Sequence, residues 1–274
     1  CSFCVIPFAR GRSRSREMGN LLDEARALIA RGAKELVLTG VNLGCYTCEG
    51  LTIVDVVNNL NGLPGLARIR ISSIEPTTVP GELLDCMAEP AHALAPYLHL
   101  PLQSGSDAVL RRMKRRYTRR EFVEFVETAC RRVPDLCVGT DILVGMPGES
   151  DAEFEETCAV LRDAPIAYAH VFKYSERDGT ASQRMPDKVD PKTVNRRSAR
   201  IRRISAAKRQ AFYERYLGAS VEVLFEQQQD GWWEGYTGNY VRVAARSSKR
   251  LRNEFGRVRV ESIRGDIAIG ALND

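Results

Sequence analysis

The sequence predicts an α/β domain built from strand–helix–strand units, followed by a separate, small all-β barrel. Two observations carry this reading. Between residue 17 and about residue 175, short β-branched apolar runs alternate with amphipathic stretches, the pattern of parallel strands joined by helical crossovers. After Gly218 the period changes to short strands separated by glycine-bearing turns. With 274 residues, 44% hydrophobic and 27% charged, the chain is long enough for one large core and a second small one.

Taken in order, strands are expected at Glu35–Thr39, Arg68–Ser73, Tyr97–Leu102, Gly139–Val144 and His170–Tyr174. Helices are expected at Met18–Arg31, Ile53–Leu60, Gly81–Met87, Asp107–Met113, Arg119–Arg132 and Asp151–Asp163. Pattern alone permits a (βα) barrel or an open doubly wound sheet. Pro186 and Pro191 bracket a polar link, and Lys192–Tyr216 then has helix-forming composition without Gly or Pro until Gly218 ends it. The tail places strands at Val221–Phe225, Tyr240–Ala244, Val258–Glu261 and Ile267–Ala271. The expected division is therefore residues 1–190, a basic linking helix at 191–218, and a barrel at 219–274.

Composition narrows the function classes. No run of eighteen apolar residues occurs and the N-terminus lacks the zones of a secretion signal, so a cytoplasmic protein without a membrane partner is expected. The eight cysteines are scattered over a long chain, which suits reduced thiols and metal ligands better than a disulfide framework. A net charge of +5 is modest, but Lys192 to Arg215 holds nine Lys or Arg against the single acid Glu214. Arg196, Arg197 and Arg200 on this helix, with Arg242, Lys249 and Arg250 in the tail, are candidate phosphate contacts. Trp232 and Trp233 are candidates for stacking on unpaired RNA bases.

Cys1 and Cys4 are three positions apart, so both thiolates can face one metal or cluster. Spacing alone leaves a zinc knuckle or a thiol redox site open. Cys45 and Cys48 form a second such pair with no companion pair, and His92, His99 and His170 have no ligand spacing. Cys86, Cys130, Cys137 and Cys158 fall on helix or strand positions and read as core.

The residues around Cys1 are more specific. CSFCVIPFARGRSRSR resembles the cluster loop of the methylthiotransferase branch of radical S-adenosylmethionine enzymes, Cys-x-x-x-Cys-x-x-Cys followed by Ile-Pro, Arg-Gly and Ser-Arg. Cys1 and Cys4, Ile6-Pro7, Arg10-Gly11 and Ser15-Arg16 occupy the matching positions; the pattern's first cysteine would lie four residues before Cys1. Further stretches match in the family's order: Leu38–Gly44, Arg70–Pro76, His99–Asp107, Arg112–Thr118, Gly139–Ser150 and Phe172–Thr180. The tail resembles the small RNA-binding barrel called TRAM.

The resemblance implies a partial (βα) radical S-adenosylmethionine barrel lacking its first strand, then a TRAM barrel. It implies a four-iron, four-sulfur cluster on Cys1 and Cys4, with a third cysteine ligand upstream, and a second such cluster on an N-terminal domain that this sequence does not contain. S-adenosylmethionine would lie on strand ends: Thr39 and Gly40 at its amino group, Ser72, Glu75, Gln103 and Ser104 at the ribose, and Asp141, Leu143 and Val144 along adenine. Phe172 would stack on a base or fill the barrel. No catalytic acid or base is implied. The expected partners are a tRNA anticodon stem-loop and an electron-donor protein, and this chain by itself is expected to be inactive. Within the family, the branch acting on threonylcarbamoyladenosine in tRNA fits best. The isopentenyladenosine and ribosomal-protein aspartate branches stay open, as does an RNA-binding fragment.

Overall fold

The computed structural model describes residues 1–273. The chain runs α1 (Ile6–Arg10), α2 (Met18–Ala30), β1 (Glu35–Leu38), β2 (Thr47–Cys48), β3 (Leu51–Thr52), α3 (Ile53–Asn61), β4 (Arg68–Ile71), α4 (Gly81–Ala88) and β5 (Tyr97–His99). It continues with α5 (Asp107–Arg112), α6 (Arg119–Arg132), β6 (Cys137–Val144), α7 (Asp151–Asp163), β7 (Tyr168–Lys173) and the long α8 (Pro191–Glu214). The tail adds β8 (Ser220–Gln229), β9 (Trp232–Tyr236), β10 (Arg242–Arg246), β11 (Phe255–Arg264) and β12 (Ile267–Leu272).

Local chemistry sets several helix starts. Thr118 and Glu121 at α6, Ser150 and Glu153 at α7, and Thr52 and Asp55 at α3 form reciprocal capping boxes that satisfy the first free N–H groups. Asp190 caps α8, with Pro191 at its first helical position.

β1 pairs with β4, and β5 with β6 and β6 with β7, all in parallel. Isolated parallel bridges, Ile69 with Leu94 and Ser73 with His99, join the two sets, so β1, β4, β5, β6 and β7 follow one another around an arc in chain order. Side chains alternate across this arc. Ile69, Ile71, Leu98, Leu100, Val138, Ile142, Val144, Ala169 and Val171 face the helices, in one core with Leu60, Phe122, Val126, Phe154 and Leu161. The opposite face is polar: Arg68 and Arg70 on β4, His99 on β5, Asp141 on β6, and Tyr168 and His170 on β7. This second face lines a lumen.

The tail closes into a barrel in the order β10, β12, β11, β8, β9. Sequence reading found four of its strands and missed β9. Its Trp232-Trp233-Glu234-Gly235-Tyr236 run looks like a stacking surface for RNA, yet it pairs antiparallel with β8 and β10 along its length. Gly235 is needed there, because a Cβ would sit 2.0 Å from the Leu224 carbonyl oxygen.

The tail seats on the N-terminal ends of the parallel strands. Arg70, 2% exposed, donates to the carbonyl oxygens of Gly238 and Thr237, both at 2.6 Å, and pairs with Glu35 at 2.8 Å. Arg68 reaches Glu35 and the Tyr236 carbonyl, each at 3.1 Å. Tyr240 stacks on Tyr97 with ring centroids 4.5 Å apart, and the Arg70 guanidinium lies 4.4 Å from the Tyr240 ring centre. The turn from Thr237 to Tyr240 thus closes the floor of the lumen. A buried guanidinium with every partner a backbone carbonyl or a paired carboxylate holds the two bodies in register.

Candidate functional site

The first residues are tied to the C-terminal ends of the strands. The Ser2 N–H donates to the Met113 carbonyl at 2.9 Å, the Ser2 hydroxyl to the Arg112 carbonyl at 2.8 Å, and the Ser182 N–H to the Ser2 carbonyl at 2.9 Å. Phe3 packs with Val109, Met113, Leu143, Met146, Tyr174 and Met185. The loop bearing Cys1 and Cys4 is therefore fixed at the ends of α5, β6 and β7. Neither thiol is in a disulfide.

Arg115 joins this loop to the next strand end. Its Nη1 donates to the Cys1 sulfur at 3.0 Å, Nη2 pairs with Glu75, and Nε donates to the Tyr117 hydroxyl at 3.0 Å. Tyr117 in turn donates to the carbonyl of Leu102 at 3.0 Å; burial pushes its own hydroxyl pKa up, which keeps it a neutral donor. Asn42 continues the chain of contacts. It accepts from the Glu75 N–H at 3.2 Å and donates to the Cys45 sulfur at 3.0 Å. Arg115 and Asn42 escaped sequence reading, because a cation in a basic run and an amide in a loop look like ordinary surface residues. Arg115 lies within the family-matching stretch Arg112–Thr118 and Asn42 within Leu38–Gly44, and those matches are the clue the sequence holds.

Several expected site residues come together here. The Gly40 N–H donates to the Ser72 hydroxyl at 3.3 Å, so Thr39-Gly40, Ser72 and Glu75 form one rim. Gln103 takes a positive φ of 68°, donates its N–H to the Asp141 carbonyl at 2.7 Å and accepts from Leu143 at 2.9 Å, lacing β5 to β6. Leu143 and Phe172 lie opposite each other in register at the top of the lumen, with Phe172 51% exposed. A cavity of 1360 Å³ runs along the free edge of β1, lined by Thr39, Gly40, Asn42, Cys45 and the Arg10–Arg16 segment.

Others belong elsewhere. Ser104 is fully buried, hydrogen-bonded to Thr157 of α7 at 3.1 Å, and offers nothing to the rim. Val144 is on the helix-facing side of β6 by strand alternation, and packs in the main core. Gly139 does not leave room for a flat ligand: a Cβ there would meet the Tyr168 hydroxyl at 2.7 Å and His99 at 3.0 Å, so those side chains use its space.

Beneath the rim the lumen holds a linked polar set. His99 and Asp141 are 3.0 Å apart, Tyr97 and Tyr168 share a hydrogen bond of 2.6 Å, and the His99 and His170 rings lie 5.4 Å apart. Burial pushes both tyrosine pKa values up, and desolvation with the neighbouring His99 pushes His170 down. Both effects favour neutral side chains at this depth. His99 and His170 are thus part of the lumen wall.

The basic residues divide sharply. Arg197 is 4% exposed and pairs with Glu149 at 2.8 Å and Asp151 at 2.7 Å, so its expected role in RNA binding is withdrawn. Arg200 pairs with Glu155, and Arg242 with Glu234 at 2.6 Å, which neutralises both. Trp233 is 6% exposed inside the tail barrel and cannot stack on a base. Arg196, Lys249 and Arg250 are exposed, and Trp232 is half-buried under Arg246. The reason is amphipathicity: α8 lays one of its arginine rows against α7, whose acids answer it. Arg197→Ala is expected to lower stability by about 3 kcal/mol, the range for breaking a buried ion pair, and to leave RNA affinity unchanged. Denaturant unfolding and filter binding on the same preparation check both halves.

The disposition of Cys1 and Cys4 fits an iron–sulfur cluster: two reduced thiols on an anchored loop, with a guanidinium N–H directed at one sulfur. The chain is 33% identical over 268 residues to the threonylcarbamoyladenosine tRNA methylthiotransferase MtaB of Bacillus subtilis (strain 168), covering 95% of this chain and 59% of that one. It is 38% identical over 231 residues to a tRNA-2-methylthio-N(6)-dimethylallyladenosine synthase of Acidothermus cellulolyticus, covering 82% of this chain and 46% of the relative. The chain thus spans 59% or less of these relatives. Among solved structures, the radical S-adenosylmethionine methyltransferase TsrM of Kitasatospora setae superposes with a TM-score of 0.56 at 20% identity, over 67% of this chain and 36% of that one. Methylornithine synthase PylB superposes at 0.52 and 18% identity, over 75% and 58%. Residues 1–161 match the model of the radical SAM superfamily, and to that superfamily this chain belongs.

Proposed function

We propose that this chain is the radical S-adenosylmethionine core and RNA-binding tail of a tRNA methylthiotransferase. Its preferred substrate on this reading is N6-threonylcarbamoyladenosine beside the anticodon, methylthiolated at carbon 2. The supporting observation is the gathering of Cys1, Arg115, Glu75, Ser72 and Gly40 on one rim above an open polar lumen. The MtaB relative, alignable over 95% of this chain, supports the choice of nucleoside.

On this reading Cys1 and Cys4 hold the cluster with a third, upstream thiolate. The bound cluster and S-adenosylmethionine supply a carbon-centred radical that abstracts hydrogen. This chain's residues do the positioning. Arg115 orients the Cys1 sulfur while neutralising Glu75, and Gly40 and Ser72 offer a backbone carbonyl and a hydroxyl to the polar end of the cofactor. The Thr237–Tyr240 turn covers the lumen from below through its contacts with Arg70 and Tyr97. Comparing tRNA nucleosides by mass spectrometry from strains with and without the gene tests the assignment. Loss of 2-methylthio-threonylcarbamoyladenosine supports it; loss of the dimethylallyl counterpart alone moves the substrate to the other branch.

Cys45 and Cys48 are left outside this chemistry, because the family pattern that the Cys1–Arg16 run matches does not call for cysteine at their positions. Changing both to serine is expected to leave iron content and cofactor cleavage within about twofold of the parent, against the 10- to 100-fold loss typical of groups that support a metal. Iron assay and deoxyadenosine release check it.

A further inference from the structure

The lumen wall formed by β7 carries recognition groups that the fold does not use. Along this strand Tyr168, His170 and Phe172 face the lumen, and His170 and Phe172 are exposed. The neighbouring His99 is fully engaged: one ring nitrogen lies 3.0 Å from Asp141 and the other 3.5 Å from the Tyr97 hydroxyl. Asp141 is opposite His170 in the β6–β7 register, so the acid placed to hold His170 is taken by His99. His170 packs against rings, with centroids 5.4 Å from His99 and 5.3 Å, edge-on, from Tyr168. Neither of its nitrogens has a hydrogen-bond partner among the described residues.

A cation stands beside it. β7 ends its sheet, and one face of α8 covers the open edge. The Ser205 hydroxyl accepts from the Ala169 N–H at 2.8 Å and donates to the Ala169 carbonyl at 2.9 Å, and Arg202 donates to the Val171 carbonyl at 2.8 Å. Arg209, one turn beyond Ser205 on that face, lays its guanidinium 4.8 Å from the Tyr168 ring centre and makes no hydrogen bond or ion pair among the described residues. Arg197 and Arg200, on the α7 side of the helix, are quenched by acids. Desolvation first, then His99 and Arg209, hold the His170 pKa below its ordinary value, so the neutral ring presents one N–H donor and one bare nitrogen.

We propose that His170 and Arg209 form the subsite that selects the substituent on the target adenosine: His170 hydrogen-bonds a carboxylate-bearing, amide-linked side chain, and Arg209 supplies the countercharge. The inference rests on the methylthiotransferase reading above and assigns its choice of nucleoside to two residues of this chain. The chemistry of the candidate substituents sets the direction. Threonylcarbamoyl carries a carboxylate, a hydroxyl and urea N–H groups, whereas dimethylallyl is hydrocarbon alone. A donor, a lone pair and an unquenched cation answer the first. The second would take their water and give them no partner, which is how a site built for polar groups rejects an apolar analogue. Phe172 lies two residues along the same strand, about 7 Å away, and offers an apolar face to the flat base while the substituent reaches down to His170.

The test measures binding of three anticodon stem-loops to the protein carrying its upstream segment. The stem-loops differ at one adenosine, which bears threonylcarbamoyl, the methyl ester of threonylcarbamoyl, or dimethylallyl. The parent is expected to bind the free acid about tenfold or more tightly than the other two, the scale of a hydrogen bond to a charged group. His170→Leu and Arg209→Gln should each remove most of that preference by weakening the acid, and leave dimethylallyl affinity unchanged. His170→Gln, which keeps a donor and an acceptor, should restore part of it. Equal weakening of all three stem-loops in His170→Leu and Arg209→Gln, with the helical circular dichroism intact, would assign both residues to packing of the wall and overturn the proposal. So would a parental acid-to-ester ratio in Arg209→Gln, a change at a half-buried helix position that makes no hydrogen bond. A parent that favours threonylcarbamoyl, with both variants keeping that preference, sinks the subsite alone. A parent that favours dimethylallyl sinks the choice of nucleoside on which the subsite rests.

Discussion

Replacing Arg70 with methionine is expected to lower the stability of the chain by about 3–5 kcal/mol, the usual cost of stranding a buried charged partner. Arg70 is 2% exposed, and its removal leaves Glu35 with Arg68 alone and the Thr237 and Gly238 carbonyls without donors. Methionine fills much of the volume, so the loss reports polar contacts and not a void. The effect should be uneven. Both tryptophans lie in the tail barrel, so their fluorescence follows that body, while circular dichroism follows the helices of the larger one. The variant is expected to show the tail melting before the helices, where the parent shows one transition. A coincident transition at the parental midpoint would mean that the Arg70 contacts do not hold the bodies together. The same contacts explain why deleting residues 219–274 is a poor way to isolate RNA binding: it uncovers Arg68, Arg70 and Tyr97 and opens the lumen floor.

The second large effect concerns the rim. On the proposed assignment, Cys4→Ala in the protein carrying its upstream segment is expected to lose cluster absorbance and all detectable deoxyadenosine formation, because a thiolate ligand has no substitute. Arg115→Ala is the more informative change. It removes no ligand, yet Arg115 contacts Cys1, Glu75 and Tyr117 together. Groups that orient a metal ligand are typically worth 10- to 100-fold in affinity or activity, so deoxyadenosine formation should fall by about that factor while the fold persists. Arg115→Lys keeps the charge but not the three-way geometry, and is expected to recover only part. Full activity in Arg115→Ala, with iron unchanged, would assign Arg115 to loop packing alone.

Much of this was legible in the one-dimensional text. The parallel strands and the helices between them follow from β-branched runs and capping residues, which act over a few residues. The stretches at Leu38–Gly44 and Arg70–Pro76 singled out Thr39, Gly40, Ser72 and Glu75, which the structure brings to adjacent strand ends because the ends of a parallel arc converge by construction. What local text could not carry was the direction of each side chain and the partner it would meet. Val144 and Ser104 went to the helix layer because one step along a strand or past its end reverses the face. Arg197, Arg200 and Arg242 read as free cations because charge is visible in sequence and the acids that quench it, Glu149, Glu155 and Glu234, are remote or on another element. Arg68 and Arg70 looked like strand residues of no special kind until a turn from 168 residues further on closed over them. Pattern and spacing determine which elements form and where their ends lie; burial, pairing and the seating of one body on another depend on contacts distant in the chain, and only the tertiary structure decides those.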